Sequence, residues 1–254
     1  KNTLDTENIT PYQNLLLALL TNTYEMNYRR YKGHCCSQVK TVDGYYTKAW
    51  KAIMPISEFV YEIAQKETNG DMWKDLTQKA SNARDATTHL SNCKDMQFPE
   101  NKKNRNYWSF SNGIFAGKLV DSKSGEYFCK FFPYDSPDYR CLDPCVVSSK
   151  FFDKPFNKEM MEIEDWYDIP TPHFQSILTY QKFEDDVCKW MYVLGGRLCF
   201  NVGELDGWQI IPFLKGVAMS GKSTIITKVF KKFYESEDVR TLSNNIERKF
   251  GLSS

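Results

Sequence analysis

Long apolar runs are missing from this 254-residue chain: nothing in it approaches the roughly 20 consecutive apolar residues that a membrane-spanning helix needs. The opening Lys1-Asn2-Thr3-Leu4-Asp5 has neither the apolar core of a secretory signal nor an initiator Met, so the chain is expected to be intracellular and an excerpt of something longer. An excess of charge of one sign is missing as well. With 33 basic and 32 acidic side chains the net charge is +1, and the bulk composition demands neither nucleic acid nor a membrane as partner. Any such contact must come from a local patch. Internal repeats and low-complexity tracts are absent, which excludes solenoids and arrays. Paired zinc-ligand spacings are absent too: Cys141 and Cys145 make one loose pair, with His34-Cys35-Cys36 far upstream, whereas structural zinc sites ordinarily carry two well-spaced pairs. The eight cysteines therefore read as reduced thiols, and zinc is not expected.

What is present is ample material for a core, 41% hydrophobic and 15% aromatic, enough for one large domain or two modest ones. Residues 13–31 carry Leu15, Leu16, Leu19, Leu20 and Tyr24 on a helical repeat, with Pro11 suited to a first turn. Residues 49–65 carry Ile53, Ile56, Phe59, Val60 and Ile63 at helical spacing, interrupted by Pro55, and a more polar helix is expected over 71–90. Residues 1–100 are thus expected to be mostly helical. A polar run over 99–105 reads as a linker. Residues 107–120 and 126–134 are extended in character, joined by the hairpin loop Asp121-Ser122-Lys123-Ser124-Gly125, and Asn112-Gly113 suits a tight turn. An acidic, proline-punctuated connector over 159–172 leads into one expected helix over 174–194, ended by Gly195-Gly196. Residues 101–194 are accordingly expected to form a mixed α+β domain.

The chemistry sits in Gly216-Val217-Ala218-Met219-Ser220-Gly221-Lys222-Ser223-Thr224, which fits the phosphate-cradling pattern G-x-x-x-x-G-K-[ST]. The glycines permit backbone angles and a closeness of approach that a Cβ would forbid. Lys222 is placed to reach the β- and γ-phosphates, and the Ser223 hydroxyl to coordinate magnesium. Before the loop, Trp208-Gln209-Ile210-Ile211-Pro212-Phe213-Leu214 suits a buried strand, although Pro212 sits awkwardly in one. After it, Ile225, Ile226, Val229, Phe230 and Phe233 mark one face of a helix about fifteen residues long. Strand, glycine loop and helix are the context the motif requires. Between Gly207 and Tyr234 there is no Asp or Glu, while Lys215, Lys222, Lys228, Lys231 and Lys232 are present. Val239-Arg240-Thr241-Leu242-Ser243 reads as a further strand. The acid-tipped strand that a P-loop ATPase also needs does not follow before Ser254, so this stretch alone is expected to bind nucleotide weakly and hydrolyse it negligibly.

Asn112-Gly113-Ile114, Gly196-Arg197-Leu198, Gly203-Glu204-Leu205-Asp206-Gly207-Trp208-Gln209, the glycine loop, and Ser243-Asn244-Asn245-Ile246-Glu247-Arg248-Lys249-Phe250-Gly251-Leu252, in that order, resemble the primase-helicases of nucleocytoplasmic large DNA viruses, poxvirus-like replicative ATPases of helicase superfamily 3. The resemblance is densest over 190–254, fainter back to about 105, and leaves the first hundred residues uncovered. It implies an α/β chain in which 195–254 begin an AAA+ ATPase domain, with residues 216–224 as the site for ATP and Mg2+. It also implies a homo-hexamer working on single-stranded or forked DNA at a viral replication site in the host cytoplasm or nucleus. The magnesium-holding acid, the polar sensor and the arginine finger lie further downstream in that family. For Glu204 and Asp206 a structural task, capping or pairing Arg197, is expected. A competing reading from another class is a non-enzymatic fragment for oligomerisation or for single-stranded nucleic acid, using Lys102, Lys103, Arg105, Tyr107, Trp108 and Phe110.

Overall fold

Thr10 opens the first helix, α1 (Pro11–Glu25), through a capping box: its side chain accepts from the Gln13 N–H while the Gln13 side chain accepts from the Thr10 N–H. The computed structural model describes residues 9–204, 206–208 and 210–240. They form a mixed α/β structure with two sheets, divided between two compact units: Lys1–Lys103 with Leu142–Val147, and Asn104–Cys141 with Ser148–Ser254.

In the first unit α1 is followed by a meander of β1 (Arg29–Tyr31), β2 (His34–Lys40) and β3 (Tyr46–Pro55), then by α2 (Ile56–Lys66), α3 (Asp71–Thr77) and α4 (Asn82–Asn92). The tight turn between β1 and β2 needs left-handed backbone, and Lys32 and Gly33 supply it with φ of 46° and 76°. Leu15 and Leu19 of α1, Phe59 and Val60 of α2, Leu76 of α3, Leu90 of α4 and Phe98 form one buried cluster. Side chains of this size contribute about 1.5–3 kcal/mol each on full burial.

The helix expected over 49–65 is corrected here. Residues 49–54 belong to β3, and only the apolar series beyond Pro55 follows a helical stripe, with Ile56, Phe59, Val60 and Ile63 buried. Ile53, counted in that stripe, is exposed. Proline is the physical reason: it has no N–H for a helix interior, so it closes the strand, opposite His34, with extended backbone (φ −59°, ψ 147°), and α2 starts after it. The described residues of the first hundred thus combine four helices with a three-stranded sheet.

The second unit is built on a four-stranded sheet in the order β6-β5-β4-β7, from β4 (Lys103–Phe110), β5 (Gly113–Val120), β6 (Tyr127–Pro133) and β7 (Val147–Phe152). Asn112 sits in the β4–β5 turn. In the β5–β6 loop the Asp121 carboxylate accepts from the Lys123 and Ser124 N–H groups, both at 2.8 Å, which holds its pKa below the ordinary 3.8. A short helix α5 (Pro137–Arg140) follows β6. Past two 3-10 turns in the acidic connector come α6 (Pro172–Tyr180) and α7 (Asp185–Arg197).

These two replace the single helix expected over 174–194. The chain breaks at residues 181–184, where Lys182 has a left-handed φ of 56°, and Glu184, Asp185 and Asp186 place acids at the positive end of a new helix. Gly195 and Gly196 lie inside α7 rather than ending it. A Cβ on Gly195 would stand 3.0 Å from the Phe230 ring, so the glycine serves close packing.

Candidate nucleotide-binding loop

The stretch read as the strand before the loop does not pair. Residues 206–208 and 210–215 carry no strand among the described residues, and Ile211 and Phe213 are exposed. An isolated extended segment lacks a ladder to satisfy its backbone, and Pro212 cannot donate to one. Within it Leu214 packs against the cluster of Leu178, Cys188, Met191 and Ile225 that joins α6, α7 and the segment after the loop, and Trp208 stacks on Trp190 of α7 at 5.6 Å.

Residues 216–219 stand in solvent, and Ser220, Gly221 and Lys222 are half-buried. Gly221 has a φ of 86° and Met219, unusually for a side chain of its size, one of 63°. Alternating left- and right-handed backbone is how anion-binding concavities are made. Inside the loop the Lys222 ammonium donates to the carbonyls of Gly216 at 2.7 Å and Val217 at 2.6 Å, and to Ser220 Oγ at 3.1 Å. Those three acceptors match the three donors of an ammonium. Gly216 is needed for closeness: a Cβ there would lie 2.9 Å from Ser220 Oγ and 3.6 Å from Lys222 Nζ.

From Lys222 the chain turns helical. Lys222–Thr224 is α8, Ile225–Val229 widens into a π turn, and Phe230–Phe233 tightens into 3-10 before Tyr234 becomes extended. The expected fifteen-residue α-helix is therefore shorter and irregular. Ser223 and Thr224 are exposed on its first turn, and Thr227 Oγ1 donates back to the Ser223 carbonyl at 2.6 Å. Its far end is held by the sheet: Trp108 Nε1 of β4 donates to the Phe233 carbonyl at 3.0 Å, and Lys150 Nζ of β7 to the Tyr234 carbonyl at 2.9 Å. Carbonyls at a helix C-terminus lack intrahelical donors, and a cation beside them also answers the helix dipole. Arg105 of β4 donates through Nη2 to the Leu198 carbonyl at 2.7 Å and through Nε to the Tyr234 hydroxyl at 3.1 Å.

These contacts settle several residues singled out from the sequence. Asp206 pairs with Arg197 in a bidentate fork, 2.8 Å from Nε and 2.7 Å from Nη2, and that hydrogen bonding, more than the Trp208 N–H, holds its pKa below 3.8. Glu204 pairs instead with Lys118 at 2.7 Å. Tyr107 and Trp108 are buried, so with Arg105 already bound to Leu198 and Tyr234 they do not offer a stacking platform. The Cys141 and Cys145 thiols are exposed while Cys35 and Cys36 are buried. No cluster of three His, Cys, Asp or Glu side chains is placed to hold a metal among the described residues. The residues Leu205, Gln209 and 241–254, including Asn244 and Asn245, lie outside those described, as does most of the strand read over 239–243. The charge of residues 28–55, six basic side chains against one acid, was not read from the sequence; the signal was local charge hidden in a neutral total.

Beside the loop's helix, a cavity of about 370 Å³ is lined by Met191, Leu194, Leu198, Leu214, Ile226 and Phe230, with Lys231 and Arg240 at its polar edge. No protein-family model matches the chain, and no curated protein matches it.

Proposed function

We propose that residues 216–224 bind the triphosphate of ATP, with magnesium, as the nucleotide site of a DNA helicase similar to the viral superfamily 3 primase-helicases, working as a homo-hexamer on single-stranded or forked DNA. The observation that carries the reading is Lys222. Its ammonium is drawn into a loop whose backbone carbonyls and hydroxyl hold it only through contacts that a polyphosphate can replace. On binding, Lys222 turns from the Gly216 and Val217 carbonyls toward phosphate oxygens, where it stabilises charge on the transferring phosphoryl group. Gly216 and Gly221 let the backbone come close to the phosphates.

The acid-free run 207–234, with Lys215 and Lys228 beside the loop, favours an anion there. The exposed Ser223 hydroxyl would be the protein's ligand to a magnesium ion arriving with the nucleotide, since magnesium is ordinarily bound by few protein groups. Held there, magnesium would supply positive charge to offset the charge that develops on the phosphates. Trp108 and Lys150 fix the far end of the helix that presents Ser223 and Thr224, so the loop is mounted on the sheet of its own unit.

The test is titration of a fluorescent ATP analogue with magnesium into the wild type and Lys222→Met, followed by hydrolysis with and without single-stranded DNA in the full-length protein. Loss of at least tenfold in affinity, with loss of DNA-stimulated hydrolysis, supports the site. Equal binding by both proteins overturns it.

A further inference from the structure

The meander of the first unit concentrates charge that the whole chain hides. Residues 28–55 include Arg29, Arg30, Lys32, Lys40, Lys48 and Lys51 against the single acid Asp43, with Tyr28, Tyr31, Tyr45, Tyr46 and Trp50 among them. Strand alternation sorts these residues. Arg30 turns inward, where it meets Glu100. Arg29 and Tyr31 face the other way, and Arg29 lies 4.4 Å over the Trp50 ring of β3, placing both strands' residues on one surface. On that surface Lys103 stands 4.5 Å from the Tyr31 ring at one end, and Lys40 stands 4.3 Å from the Tyr46 ring at the other. Lys48 lies between and donates to the Asp143 carbonyl at 3.4 Å; burial lowers its pKa most, the Asp143 charge opposes that, and Arg29 adds to it. Tyr45 and Tyr46 are 47% and 53% exposed.

We infer that this face of the β1-β2-β3 sheet binds single-stranded nucleic acid at its two ends, on either side of the 142–147 segment that covers Trp50, with Lys40 and Lys103 along the phosphates and Tyr31 and Tyr46 under the bases. Charge complementarity selects a polyanion. Cations interleaved with tyrosine rings select one whose bases are unstacked, because each ring offers a π-face to any base. A duplex presents its phosphates but keeps its bases in the stack. This inference stands apart from the nucleotide loop and survives that loop's failure.

The experiment is fluorescence anisotropy of a labelled oligo-dT with the full chain and no ATP, across a salt series. Lys40→Gln/Lys103→Gln should lower the slope of log affinity against log salt by about 1.4, at about 0.7 per lost phosphate contact on a single strand. Tyr46→Ala should weaken binding about fivefold or more, with Tyr46→Phe restoring it. Lys222→Met should bind as the wild type, and so should Lys74→Gln on α3. An unchanged salt slope in the double variant overturns the inference. So does equal affinity for a duplex or for polyglutamate, which would make the face a general polyanion or acidic-peptide surface. Thermal melts of these surface variants verify that each one folds.

Discussion

Gly221→Ala isolates the backbone of the nucleotide loop from its contacts. Gly221 has a φ of 86°, and a Cβ there would meet only Gln181 Nε2, at 4.0 Å, so the substitution adds strain without a clash. A left-handed alanine costs about 1–2 kcal/mol. The free loop can relax into another shape and shed that strain, but nucleotide binding must restore the observed one, so the cost falls on affinity. At about 1.4 kcal/mol per factor of ten, the analogue should bind roughly five- to thirtyfold more weakly. Gly221→Asn should lose less, since asparagine tolerates left-handed backbone. Met219, already left-handed at 63°, gives the converse: in Met219→Gly relief of strain is offset by the greater freedom of glycine, and affinity should stay within about threefold. Isothermal titration of magnesium-ATP reads all three. If Gly221→Ala binds within twofold of wild type, the loop conformation seen here is not the one that holds nucleotide, and the geometric argument fails.

Three further outcomes follow from the same contacts. Trp108→Phe removes the indole donor from the Phe233 carbonyl and some packing, and should cost about 1–2 kcal/mol in urea unfolding. Asp206 has a folded pKa below its ordinary 3.8, so the stabilisation from Arg197 is complete above that value and is lost as pH falls through the lower folded one; urea midpoints of Asp206→Asn should depend less on pH in that acid window than those of wild type. In thiol labelling at pH 8, exposed Cys129, Cys141 and Cys145 should react first, whereas Cys35, its pKa pushed up to about 12 by burial, should react last; rapid labelling of Cys35 would contradict the packing of the first unit.

How much of this could be read from the sequence depends on how local the cause is. The hairpin loop at Asp121 and the helix start at Pro11 are legible because their determinants are side chains bonding to neighbours a few residues away. The stretch 49–65 misleads because an apolar series fits two periods at once, and Pro55, read as an interruption, is the boundary between them. The break in 174–194 had a local signal in Glu184-Asp185-Asp186, an acidic helix start inside an apolar pattern. That residues 206–208 and 210–215 form no strand was not legible, because a strand requires a partner and no short-range pattern states whether one is near. Within the loop, residue types pointed to phosphate, but the capping of the helix end by Trp108 and Lys150 links residues far apart in sequence.

Val147 joins Cys36 and Trp50 in a small core cluster, and the Asp143 carbonyl accepts from Lys48 across 95 positions of sequence. The chain leaves the first unit at Lys103 and returns to it at Leu142. On the ribosome, therefore, the meander waits with the Trp50 side uncovered while the intervening strands of the other unit are being synthesised. Such an interval exposes apolar surface and open strand edges to neighbours or chaperones. A fragment cut after residue 103 would remain in that waiting state, whereas one carried through residue 147 could close it.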